Sequence, residues 1–283
     1  MSAWWSQVRA EWVKAYSLRT TWVCLGLVIL ISIGLGALIS WVSASSWGVG
    51  STADRLQYDP VRTAQAGVLV AQFVVGVLGV LLVSTEYSSK LITVSLSALS
   101  RRRTIVLAKL FVTASLVVVV GEVVAFSSYF VSRAVLLGYG GKVVAHDSAA
   151  LQMHSVFIPV LALSQGGVLR ATAMAGVYLA MLSMIGVALG FLLRSGAAAI
   201  SVFVGALLLL PIIVQLLPSG LGGDINPFLP TNLGSAMMVD VLSHNAYGGN
   251  FLSWDSALGW LGLYVVVVVV AGIWRLVRSD VGR

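Results

Sequence analysis

Residues 21–40 read TWVCLGLVILISIGLGALIS, twenty positions without one charged side chain. A helix of that length covers the ~30 Å of a bilayer's hydrocarbon and keeps every backbone hydrogen bond internal, which lipid demands. Five further stretches, at residues 64–83, 104–131, 169–192, 197–217 and 257–274, are long and apolar enough to do the same. Of the whole chain, 59% is hydrophobic and only 10% charged, against about 25% charged in soluble domains. The expected fold is therefore an all-α membrane protein with six transmembrane helices. The run at 21–40 exceeds the ~7–15 apolar residues of a secretory signal. Although small residues at 42–44 resemble a cleavage site, it reads as an uncleaved signal anchor.

The net charge of +7 does not point to nucleic acid, because the basic residues gather at the ends of the apolar runs. When the loops are taken alternately, twelve of the 17 Lys and Arg residues fall on one side, among them Arg9, Lys14, Arg19, Lys90, Arg101, Arg102, Arg103 and Lys109. The positive-inside rule then places both termini in the cytoplasm of a multi-pass protein. The sole cysteine, Cys24, lies inside the first run and excludes an intrachain disulfide.

Ahead of the first span, Trp4, Trp5, Val8, Trp12, Ala15 and Tyr16 share about a third of a helical wheel, while Gln7, Arg9, Glu11 and Lys14 lie outside it. This pattern predicts an N-terminal interfacial helix over residues 1–19, an elbow with its indoles at headgroup depth. On the opposite side, Asp54, Arg55, Asp59 and Arg62 read as solvated loop charges. His146, Asp147 and His154 match no zinc spacing and read as loop residues. The last outer loop, residues 218–255, lacks Lys and Arg and carries Leu233, Met237, Val241 and Leu242 at helical spacing, so a short capping helix is expected.

No phosphate-binding loop, dinucleotide fingerprint, H-E-x-x-H or G-x-S-x-G motif occurs, so an enzymatic role finds no support and no cofactor is expected on this chain. Glu122, placed near the outer end of the third span, is too isolated for a proton relay. What the spans do carry is small and polar faces. Gly176, Ser183, Gly186 and Gly190 align on the fourth span, and Gln65, Gln72, Gly76 and Gly79 on the second. Helix packing is expected for the glycines. Gln65 and Gln72, with Phe73 and Phe203, are candidates to line a substrate pathway for an apolar or amphipathic cargo, and packing is the other reading of both glutamines.

Between the second and third spans lies VSTEYSSKLITVSLSALSRRRTIVLAK, residues 83–109. A helix over residues 86–99 would be amphipathic, with Glu86 and Lys90 at i, i+4. A six-span chain with neither ion relay nor catalytic site needs a source of work if it moves anything, and such a loop is a natural handle.

The order of motifs resembles the actinobacterial ABC-2 type transporter permeases. It comprises E-W-x-K-x-x-S-x-R-x-T-W from Glu11, Gln72 with G-V-L-G-V-L from Gly76, S-T-E-Y-S-S from Ser84, the arginine run with Ala108-Lys109, Leu193-Arg194-Ser195 and F-L-P-T-N-L-G from Phe228. Lys90 and Ser100 depart from the small residue and the proline common there. The resemblance implies that residues 84–103 form a coupling segment. Glu86, Tyr87, Lys90, Arg101 and Arg102 would then contact two copies of a separate ATP-binding subunit, which would hold ATP and Mg. It further implies a second permease copy, itself or a related chain, in a bacterial cytoplasmic membrane, exporting its cargo. A membrane sensor or scaffold whose loop binds a signalling partner, and an ion-coupled carrier, are the alternative functions.

Overall fold

The computed structural model describes residues 3–50, 58–88, 102–143, 158–165, 167–238 and 252–278. Lys90, Arg101, the remainder of the expected helix over 86–99, Asp54, Arg55, His146, Asp147, His154, Val241 and Leu242 lie outside them.

Among the described residues, six helices are long and apolar enough to cross a membrane. In chain order the helices are α1 (Ala3–Ser17), α2 (Arg19–Ser46), α3 (Pro60–Ala64), α4 (Val68–Ser88), α5 (Arg102–Gly138), α6 (Val168–Leu193), α7 (Gly196–Gln215), α8 (Ser219–Ile225), α9 (Pro230–Met238) and α10 (Trp254–Arg278). A two-residue parallel pair, β1 (Lys142–Val143) with β2 (Pro159–Val160), ties the loop after α5 to the segment before α6. α2, α5 and α7 leave the end of the bundle that bears α1; α4, α6 and α10 return to it. Contacts between Ser84 and Gly196 and between Arg194 and Arg275 mark that shared end.

α6 is the central helix, packed on α4, α5 and α10. Of its most apolar window 67% is inside the bundle, against 22% for α7 and for α10, so the last two turn most of their apolar side chains outward. The glycine face expected on α6 is where neighbouring backbones approach. A Cβ on Gly186 would stand 2.3 Å from the Gly76 carbonyl of α4, and one on Gly176 2.8 Å from the Glu122 amide of α5. Lipid tails supply no hydrophobic drive between helices, so close van der Waals packing of this kind holds them together.

Two local outcomes differ from the sequence reading. Asp59 is buried rather than solvated, because its carboxylate caps α3 by accepting from the Val61 and Arg62 amides at 2.8 and 3.0 Å. α5 continues to Gly138, so Glu122 sits ~24 Å before its end rather than near the outer end of a shorter span. The short helix expected in residues 218–255 forms as α9, with Leu233 and Met237 fully buried and Gly234 against the Tyr178 ring.

Candidate functional site

α1 lies along the first turns of α5. Val8 and Ala15 pack on Ala108 and Val112, while Trp4 meets Phe111 edge-on. Trp5, Trp12 and Tyr16 stay exposed, as an apolar face outside the bundle. The same helix turns Glu11 inward, 2% exposed, although the wheel put it among the polar residues. The reason is Lys109. A lysine flanked by Ala108 and Leu110 within a spanning helix is costly unless its charge is met.

Two carboxylates from two other helices, Glu11 of α1 and Glu86 of α4, meet it. The Lys109 ammonium donates to Glu11 Oε2 at 2.6 Å, to Glu86 Oε1 at 3.0 Å and to the Leu82 carbonyl at 3.2 Å. Lys14 donates to Glu11 Oε1 at 2.8 Å and to the same Glu86 oxygen at 3.0 Å. The result is a closed ring of alternating sign, Glu11–Lys14–Glu86–Lys109, with all three Lys109 protons used. Burial alone would raise the Glu11 carboxyl, but Lys109, then Lys14, more than offset it and hold it below the ordinary carboxylate value. Burial would lower Lys14, but Glu11 and then Glu86 raise it above the usual lysine value.

A cavity of about 400 Å³ opens beside the ring, walled by Ala15, Leu18, Leu82, Val112 and Thr113. Glu86 occupies the last turn of α4, which runs unbroken to Ser88. Its Oε1 faces α1 and α5, where it accepts from Lys14 and Lys109. Next to it, Tyr87 packs edge-on against Phe191 at 6.5 Å. Arg102 opens α5. The ring joins α1, α4 and α5 through pairs 23 to 98 positions apart, which no local pattern relates; the signal that the sequence carries is Lys109, a cation inside an apolar run.

Three of the four residues read as lining a pathway, Gln65, Gln72 and Phe203, are buried in the bundle. Gln65 follows α3 and donates to the Ala125 carbonyl at 3.2 Å, 1% exposed. Gln72 accepts from the Tyr178 hydroxyl, across the α4–α6 contact and beneath α9. Phe203 of α7 covers Gly76, where a Cβ would meet its ring. Phe73, half-buried, is the one of the four not enclosed. In this conformation the glutamines serve as interhelical hydrogen-bonding groups. Gln72→Leu should therefore leave the buried Tyr178 hydroxyl unpaired and cost about 1–3 kcal/mol. Adding Tyr178→Phe should return most of that loss. Thermal unfolding in detergent of the two single variants and the double variant measures this, and strictly additive losses would remove the bond from the account.

No group of three metal-ligating side chains exists among the described residues. Six apolar spans built around α6, with a charged joint where α1, α4 and α5 meet, define a multi-pass, all-α membrane protein. The sequence matches no known family and no curated protein.

Proposed function

We propose that the chain is the membrane-spanning permease subunit of an ATP-driven exporter of the ABC-2 type. It carries an apolar or amphipathic cargo across a bacterial cytoplasmic membrane with both termini inside. The observation that carries this reading is the placement of the ion ring. It ties the final turn of α4, directly before residues 89–101, to both α1 and α5. Force applied to that segment by an ATP-binding subunit would move three helices together rather than bend one. Tyr87 on Phe191 extends the linkage to α6.

In this mechanism the ATP-binding subunits hold ATP and Mg, and their closure favours one of two arrangements of the spans through differential contact with residues 84–103. Glu86 acts mainly by positioning that segment, and Tyr87, Lys90, Arg101 and Arg102 present it. A second permease completes the path. The apolar outer faces of α7 and α10 leave area for it beside lipid. Gln72 and Phe73 reach the cargo only once α4 and α6 part, and Gln65 and Phe203 require the same opening.

Affinity purification of the tagged chain from its native membrane tests the proposal. A soluble ATP-binding protein should copurify in equal amount, and ATP hydrolysis should be absent from the isolated chain and present in the complex. Recovery of a signalling protein without ATPase activity would replace the exporter by a sensor. Transport that persists without ATP and collapses with the ion gradient would replace it by a carrier.

A further inference from the structure

At the same end of the bundle a second charged feature lies apart from the ring. Arg103 on the first turn of α5 and Arg278 on the last turn of α10 flank an open groove of about 490 Å³. Its floor is Val270, Ile273, Trp274 and Val277, at i, i+3, i+4 and i+7 on α10. The Arg278 guanidinium sits over the Trp274 indole, 4.7 Å from the ring centroid. Val270, Trp274 and Val277 are all exposed. Among the described residues no carboxylate pairs with Arg103 or Arg278, because Glu11 and Glu86, the acidic groups at this end, are bound to Lys14 and Lys109.

We propose that this groove is a binding site for an anionic diacyl phospholipid, its phosphate between Arg103 and Arg278 and one acyl chain along the α10 stripe. Guanidinium forks match phosphate oxygens in bidentate geometry. Two of them from different helices can face one headgroup. The apolar floor selects a lipid over a free anion: it runs from the arginines along α10 toward the middle of the span, where a soluble phosphate has nothing to contact. Trp274 stands where indoles settle, at the level of the headgroups. Nothing in this inference depends on whether the chain is a transporter.

The test uses the full-length protein in detergent, titrated with phosphatidylglycerol brominated on its acyl chains or with the equally brominated phosphatidylcholine. The Trp274 signal is taken as the difference from Trp274→Phe. Phosphatidylglycerol should quench that signal at lower concentration than phosphatidylcholine, with about a fivefold preference contributed per arginine. Arg103→Gln combined with Arg278→Gln should abolish the preference. Both side chains are at the surface, so the melting temperature should hold; Arg9→Gln, exposed on α1, should leave the preference intact.

Equal quenching by the two lipids in the unsubstituted protein overturns the proposal, as does a preference that survives the double substitution. Displacement of the lipid by millimolar glycerol phosphate would reduce the site to a simple anion site. A soluble protein retained by the unsubstituted chain and lost from the double variant, with lipid quenching unchanged, would make the groove a protein-docking face instead.

Discussion

Lys109→Met should destabilise the protein by about 3–5 kcal/mol, the loss expected when one member of a buried ion network is removed and its partners are left charged. Glu11 and Glu86 would then share Lys14 alone, and Lys14 is 39% exposed. For the same reason Lys14→Ala should cost no more than about 1 kcal/mol, since solvent already screens that ammonium. Converting the joint as a whole, with Glu11→Gln and Glu86→Gln added to Lys109→Met, should recover much of the loss, because the one charge that remains, Lys14, is reached by solvent. Unfolding in detergent, followed by loss of the monodisperse peak on heating, gives the ranking. If Lys109→Met melts no earlier than Lys14→Ala, the ring is not what fastens α1 and α4 to α5.

The pH response has a defined sign. The Glu11 carboxyl is held below its ordinary value. Its stabilising contribution is therefore present above that ordinary value and is lost as pH falls through the lowered one. Lys14 is raised, so its contribution is complete below the usual lysine value and disappears as pH climbs through the raised one. The joint should hold across the neutral range and release α1 at both acidic and strongly alkaline extremes.

Gly79→Ala and Gly186→Ala should each loosen the α4–α6 contact at a cost of about 1–3 kcal/mol. A Cβ at Gly79 would lie 2.3 Å from the Ser183 carbonyl oxygen and 2.9 Å from the Val187 amide, and one at Gly186 would lie 2.3 Å from the Gly76 carbonyl oxygen. These obstacles are backbone atoms, which cannot rotate away, so the helices must separate by ~1 Å and forfeit packing along the contact. Because one separation relieves both clashes, the double variant should lose less than the sum of the singles. Gly26 and Gly34 of α2 supply the control. Nothing lies within 4 Å of a Cβ at either position, so alanine there should stabilise, by up to about 1 kcal/mol from helix propensity. Equal effects at all four glycines would show that backbone approach is not what limits α4 and α6.

The spans were legible in the sequence because their cause is local. A run of twenty apolar residues has only one low-energy conformation in lipid, and neither a neighbour nor a distant segment is needed to specify it. The small-residue face of α6 was legible for a similar reason, since the spacing of Gly176, Ser183, Gly186 and Gly190 fixes a shared side whatever packs there. Partners are another matter. A wheel can assign Glu11 to a side of α1, but that side became interior only because the fold brings the buried Lys109, 98 positions along the chain, against it. In the same way, the i, i+4 relation of Glu86 to Lys90 is local, whereas its pairing with Lys109 exists only when α4 and α5 lie side by side. Gln65 and Gln72 had two readings, packing or pathway, and neither reading gave the hydrogen bonds to Ala125 and Tyr178 that the fold makes. The sequence by itself determined what must enter the membrane and which faces are small. Tertiary structure decided which charges and amides meet, because a buried polar group must be satisfied by whatever the fold brings within ~3 Å of it.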